Sequence, residues 1–478
     1  MTDAQRNGPE PSSPHASGLP HPTDAERADL VTEAAERAAH YVMHARRRAV
    51  SPSGDALARL ASLRRPLPQR GQSPSAVLAE LDEIGSPATM VTTHGRYFGF
   101  VNGGTDPAAH AASILAGAWD QNAALPIMSP IASTLDAVAT SWMLDALDLP
   151  SSAVAAFCAG ATVANLTGIL TARDALLGRA GWDVGTRGLA GAPSLRVVVG
   201  DEVHVSALRA LRLAGLGTDQ IERVPTDHCG RIRADAFPTD TDARTLVLLQ
   251  AGNVNTGHSD PFAEIIPRVR ERGGWVHVDG AFGLWLAASP RHKQLVAGID
   301  LADSWATDAH KWLNVPYDSG VVIVRSPADL ASAMAMTASY VESRDARQPM
   351  QLGIQMSQRA RAVEVWAMLA SHGRDGLANL IEHTSAHAAL FAALLSAGGA
   401  DVLAPVVINQ LLVAFGSDAV TEAVIAAVQA DGTCWAGGTT WHGRRAMRLS
   451  VSDIATTRED IEVSASAILR CARSVKAS

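Results

Sequence analysis

The sequence predicts an α/β fold with a mostly parallel sheet, a helical segment before it and a smaller α+β unit after it. Three observations carry this. From about Ala153, short apolar runs alternate with helical stretches, as βα repeats require. Before that point the periodicity is helical throughout, and after about residue 370 two or three strands mix with helices.

The elements follow in order. Residues 1–24 carry five prolines and several serines with almost no large apolar residue, so a disordered tail is expected. Residues 25–152 form a helical N-terminal segment leading into the large domain: AERADLVTEAAERAAHYVMHARRRAV, SPSAVLAELDEIG and STLDAVATSWMLDALDLP repeat apolar residues at helical spacing, the last stopped by Pro150. Residues 153–370 form the large, cofactor-sized domain. There LRVVVG (195–200), TLVLLQAG (245–252), GWVHVDGAFG (274–283) and SGVVIVR (319–325) read as buried strands. VSALRALRLAG and PFAEIIPRVRERGG read as the helices between them. After a helix around RARAVEVWAMLASHG, residues 371–478 form the small C-terminal domain.

Composition narrows the function. Hydrophobic residues at 47%, charged residues at 18% and a net charge of −8 describe a globular chain with no basic stripe for nucleic acid. The four cysteines form no CxxC pair, which argues against a zinc site or a disulfide framework, and no metal site is expected. There is no signal-peptide h-region and no stretch of 18 apolar residues, so a cytoplasmic location without membrane contact is expected. Neither GxGxxG nor GxxxxGK[ST] occurs, which weighs against the common nucleotide folds.

Chemistry gathers at strand ends, where open α/β sheets bind ligands. Asp279 ends an apolar strand and is followed by the small residues Gly280 and Ala281; a buried carboxylate there needs a cation. Arg272 and Arg291 only flank the strand, so a ligand cation is a candidate. Lys311 lies one strand later in TDAHKWLNVPYDSG, and a lysine in an apolar pocket has its nucleophilic amine form favoured. A carboxylate for a pyridinium and an amine for an aldehyde are what pyridoxal phosphate requires. A phosphate site is offered by CAGATVANLTGILTARDALL, with Ala161 small and Thr162 a hydroxyl N-cap candidate. His204 follows the strand ending at Gly200 and is placed to cover a flat ring, and Asn253 ends the next strand in a turn-forming run.

The ordered run HGRYFGFVNGG, SPIASTLDAV, AGATVANLTGILTAR, DEVHVSALRAL, QAGNVNTGHSDP, HVDGAFG and DAHKWLNVPYDSG resembles the group II pyridoxal phosphate-dependent decarboxylases over about residues 25 to 470. These include aromatic L-amino acid, histidine and glutamate decarboxylases. The resemblance implies fold type I with a seven-stranded-type sheet, and a homodimer with its active site at the interface. It implies that Lys311 forms the Schiff base with pyridoxal 5'-phosphate, that Asp279 pairs the pyridinium, and that His204 stacks on the ring and meets the substrate carboxylate. Ala281 would pack on the other ring face, Ala161, Thr162 and His310 would hold the phosphate, and Asn253 would lie near the cofactor. The reaction implied is decarboxylation of an L-amino acid through a quinonoid carbanion. Phe100, Val101, Asn102 and, across the dimer, Gln121 and Asn122 would line the substrate pocket, unless their amides only satisfy backbone groups.

Two departures keep other chemistry open. Asp308 stands where many of these decarboxylases have asparagine, an anion beside a phosphate, and D-x-H-K is similar to the sphingosine-phosphate lyase branch. The stretch 341–363 has no tyrosine to protonate the carbanion, and Tyr340 sits at its beginning. Arg448 either meets a substrate carboxylate or makes a structural salt bridge, the salt bridge being expected. A carbon–carbon lyase, an aldehyde-forming oxidative decarboxylase, an aminotransferase and a catalytically silent regulatory relative are therefore the alternatives.

Overall fold

The computed structural model describes residues 22–336 and 347–477. All but the last three residues of the tail expected at 1–24 lie outside the described residues, as does Tyr340. The first helix, expected from Ala25, begins at Asp24. Thr23 caps it in a reciprocal box: its hydroxyl accepts the Glu26 N–H, and the Glu26 carboxylate accepts the Thr23 N–H at 2.7 Å.

The chain divides into two compact units, one of residues up to Arg48 with Pro52–Thr89, the other of Ala49–Ser51 with Met90 onward. The first is helical, with helices Asp24–Ala45, Gly54–Arg59 and Pro74–Ala88. Arg37 ties two of them by pairing with Glu33 at 2.8 Å and Asp82 at 3.2 Å.

The second unit holds two sheets. The larger is built from β1 (Val154–Cys158), β2 (Arg196–Gly200), β3 (Ile221–Val224), β4 (Thr245–Gln250), β5 (Trp275–Asp279), β6 (Ser304–Asp308) and β7 (Gly320–Val324), in the order β1-β7-β6-β5-β4-β2-β3. All pairings are parallel except those of β7, which runs antiparallel between β1 and β6. Helices cover both faces, so the strands read as continuous apolar runs. Alternate residues divide between the two sides: Val276 and Val278 join one core, Trp275 the other, with helices Ala161–Arg179 and Val205–Leu213. Each such fully buried Val or Leu contributes about 2 kcal/mol.

The smaller sheet comprises β8 (Asp401–Val402), β9 (Gln410–Ala414), β10 (Gly437–Trp441) and β11 (Arg444–Ser450), antiparallel in the order β10-β11-β9-β8. It packs its own core with helices Asp418–Asp431 and Arg458–Ala477. The long helix Ala362–Ala397 is broken at Gly373, whose φ of 60° is left-handed. No helix among the described residues is long and apolar enough to cross a membrane.

Candidate active site

The residues singled out at strand ends converge on one edge of the large sheet, because β1, β2, β4, β5 and β6 are parallel and their C-terminal ends open together. Asp279 closes β5 and is 5% exposed. Its Oδ2 accepts from Asn165 Nδ2 at 3.0 Å and its Oδ1 from the Ala281 N–H at 3.2 Å. No cationic side chain among the described residues pairs with it, although a buried carboxylate left without a cation is strongly disfavoured.

Asp308 closes β6 and is 2% exposed. Its Oδ1 accepts the Ala161 N–H at 2.6 Å, and its Oδ2 lies 3.0 Å from Lys311 Nζ and 3.6 Å from His310 Nε2. Ala161 opens helix Ala161–Arg179, so the carboxylate sits on a helix N-terminus, where the dipole favours negative charge. Thr162 is not the cap: Gly160 holds that place without a side-chain bond, and Thr162 is the second helical residue. Packing explains the glycine. A Cβ on Gly320 would come within 2.4 Å of Gly160 Cα, and one on Gly160 within 3.3 Å of His310 Cε1.

His310 is 8% exposed; its Nδ1 accepts the Ser319 N–H at 3.1 Å, which leaves the proton on Nε2, and burial lowers its pKa. The ring lies 4.2 Å from that of Tyr317. His204 caps helix Val205–Leu213, and its Nδ1 is engaged by the Ser206 hydroxyl at 2.7 Å. Burial lowers its pKa, Lys311 and Arg448 push the same way, and Asp279 and Asp308 oppose them. One histidine thus feels all four charged groups of the site.

The loop carrying Phe100, Val101 and Asn102 reaches the lysine turn. A Cβ on Gly103 would lie 1.5 Å from the Lys311 carbonyl oxygen, so only glycine permits this approach. Phe100 and Val101 both have positive φ, 55° and 59°; for a β-branched valine this is a strained conformation, typical of functional loops. Asn102 Oδ1 accepts from the Tyr317 hydroxyl at 3.1 Å, and Phe100, 63% exposed, stacks on Trp435.

Asn253 and Asn122 use their side-chain oxygens on backbone, and Asn122 Nδ2 donates to Ser357 Oγ at 3.3 Å. Asn253 Oδ1 accepts the N–H groups of Asn255 and Thr256 at 2.8 and 3.2 Å. Asn122 Oδ1 accepts those of Ala124 and Gln358 at 3.1 and 3.3 Å.

Arg448 corrects an expectation. No carboxylate among the described residues pairs with it and it makes no hydrogen bond there, so the structural salt bridge is absent. The half-buried guanidinium acts on His204, and its pKa is lowered by burial. Sequence reasoning missed Asn165 and Tyr317; an asparagine four residues into a helix and a tyrosine in a turn carry no local signal of a partner 114 or 215 residues away.

These residues fit pyridoxal phosphate. The cation-free Asp279 suits a pyridinium. Lys311 supplies the amine, and the Thr162 hydroxyl, the first N–H groups of helix Ala161–Arg179 and His310 Nε2–H supply phosphate donors. Asp308 is the one adverse charge, and it is held by Lys311 and Ala161.

Comparison with known proteins agrees. The pyridoxal-dependent decarboxylase conserved domain matches residues 59–416. An aromatic-L-amino-acid decarboxylase of Bacillus atrophaeus is 27% identical over 370 residues, 75% of each chain. A 4-hydroxyphenylacetaldehyde synthase of Rhodiola rosea is 30% identical over 275 residues, 53% of each. In fold, the crystal structure of Oryza sativa TDC with PLP and tryptamine superposes with a TM-score of 0.88 at 19% identity, covering 96% of this chain and 99% of that one. With a family match over most of its length and a site built for the cofactor, the chain belongs to the pyridoxal-dependent decarboxylases.

Proposed function

We propose that this protein decarboxylates an L-amino acid at the site formed by Lys311, Asp279 and His204. The observation that carries the reading is the buried Asp279 carboxylate, which has two N–H donors, no cationic partner among the described residues, and Lys311 and Arg448 acting in the same cluster. Pyridoxal phosphate, when bound, withdraws the electron pair left on the substrate's Cα after CO2 departs.

The chain's own residues do the rest. Lys311 would anchor the cofactor through its amine. Asp279 holds a proton on the pyridine nitrogen. His204, its Nδ1 taken by Ser206, turns Nε2–H and its ring face to the site. Thr162, Ala161 and His310 hold the phosphate, with Ala281 beside the ring. Arg448 binds the substrate carboxylate, a role supported by its lack of a partner among the described residues. The Asn102–Tyr317 pair, with Phe100 and Val101, forms a mixed polar and apolar wall, which suits a side chain able to accept a hydrogen bond.

Aldehyde formation is a second reading, favoured by the tyrosine-free stretch 341–363 and by the Rhodiola rosea relative. It would consume O2 and water and release aldehyde, CO2, ammonia and hydrogen peroxide. A panel of amino acids assayed for CO2, amine, aldehyde and peroxide tests both: CO2 with equimolar amine supports the first, CO2 with aldehyde and peroxide the second, and no CO2 from any substrate overturns both.

A homodimer in the cytoplasm completes the proposal. Ile114, Leu115, Trp119, Ile127 and Ile131 are exposed large apolar residues close in the chain, as an interface requires, and the four cysteines are free.

A further inference from the structure

Beneath Asp279 lies a line of polar side chains, each 0 to 1% exposed, that the proposed chemistry does not touch. Trp275, His277 and Asp279 share one face of β5, and Ser304 stands opposite His277 on β6. Trp275 Nε1 donates to Ser304 Oγ at 2.9 Å, Ser304 Oγ is 2.8 Å from His277 Nδ1, and His277 Nε2 is 2.9 Å from Asn165 Oδ1. Asn165 Nδ2 then donates to Asp279 Oδ2 at 3.0 Å. Helix Ala161–Arg179 clamps the imidazole: a Cβ on Gly168 would come within 2.6 Å of His277 Cε1.

The Asp279 end of this line dictates the proton order, and the Trp275 end is compatible with it. An indole N–H can only donate, so Ser304 accepts from Trp275 on one lone pair and keeps its own proton free for His277 Nδ1. An ionised carboxylate can only accept, so Asn165 turns its amide N–H to Asp279 and its carbonyl to His277. The imidazole is left with one tautomer, protonated on Nε2. Burial favours that neutral form by lowering the His277 pKa to about 4.

We propose that Trp275, Ser304, His277 and Asn165 are positioning residues that lock one proton order onto Asp279, so that it meets the cofactor's ring nitrogen as a carboxylate. The inference rests on the reading that Asp279 pairs that nitrogen. The relay works by excluding an alternative. Without it Asn165 can turn over, present its carbonyl to Asp279 and drive the shared proton from the ring to the carboxylate. The other charged groups acting at this point are His204 and, through it, Lys311, Asp308 and Arg448; none of them is removed by changing the relay.

The test is a pH titration of the holoenzyme's cofactor absorbance for the parent, His277→Phe, His277→Gln, Ser304→Ala and Asp279→Asn. Loss of a donor to the charged form raises a carboxylate's proton affinity, so in His277→Phe and Ser304→Ala the acid limb should move up by about one pH unit. His277→Gln, whose amide N–H replaces Nε2–H, should stay near the parent. Ser304→Ala removes one hydroxyl that never touches Asp279, so a shift there is not explained by local packing. Should His277→Phe not fold, Ser304→Ala decides. Nitrogen-15 histidine spectra of the parent decide without any substitution: a single Nε2-protonated resonance set for His277 from about pH 5 to 8 supports the relay, and an Nδ1-protonated or mixed state overturns it. An Asp279→Asn protein with the parent's spectrum and cofactor retention would refute the site reading itself. An altered Asp279→Asn protein with unshifted His277→Phe and Ser304→Ala would refute only the relay.

Discussion

Replacing Asp308 by asparagine should tighten cofactor retention. The carboxylate takes the Ala161 N–H at 2.6 Å and lies 3.0 Å from Lys311 Nζ, so it occupies the same helix N-terminus to which the phosphate is assigned. At an effective dielectric of about 20, like unit charges about 6 Å apart repel by roughly 3 kcal/mol before screening. His310 Nε2–H and the Lys311 amine would offset part of this. A net gain of about 1 to 2 kcal/mol remains for Asp308→Asn, a roughly fivefold to thirtyfold lower apparent Kd. The amide is nearly isosteric, keeps an oxygen for Ala161 and adds an N–H donor toward the phosphate. Equilibrium dialysis of the holoenzyme, with bound cofactor read by its absorbance, measures the change. Equal or weaker retention by Asp308→Asn would refute the reasoning, because the carboxylate would then not oppose the phosphate.

Three further outcomes are expected. Acid should destabilise the fold through His277. Its pKa is near 4 folded and 6.5 unfolded, so below pH 6.5 only the unfolded chain gains the proton, and stability falls by about 3 kcal/mol as pH drops to 4. Urea midpoints at pH 7 and 4.5 should therefore converge in His277→Phe relative to the parent, and parallel losses would count against it. Arg448→Gln should raise KM by about tenfold to a hundredfold, as loss of a charge-assisted carboxylate contact does, with Tm nearly unchanged because no protein partner is lost. Gly320→Ala should lower stability by about 3 kcal/mol or prevent folding, since its Cβ would meet Gly160 backbone at 2.4 Å, and calorimetry reads this directly.

Much of this was legible in the sequence, for local reasons. Strands buried on both faces must be continuous apolar runs, so RVVVG, TLVLLQ, WVHVD and GVVIV announce themselves. The chemistry of a parallel sheet gathers at strand ends, so the order of His204, Asp279 and Lys311 along the chain was enough to suggest a cofactor. β6 was not singled out as a strand: SWATD buries a serine, a threonine and an aspartate and lacks the apolar signature.

Partners were not legible, because a hydrogen bond is decided by which distant backbone approaches. Asp308 reads as an adverse charge in the sequence and stays one, but only the fold shows what holds it: the Ala161 N–H, 147 residues away, and Lys311. Arg448 looked like half of a salt bridge, but no carboxylate among the described residues pairs with it. His277, which the sequence alone did not single out, gains its meaning from Ser304 on the next strand and Asn165 on the covering helix. Sequence periodicity determined which residues face inward. Only the tertiary structure decided what each buried polar group would meet there, since a buried donor or acceptor must find a partner and that partner is set by packing.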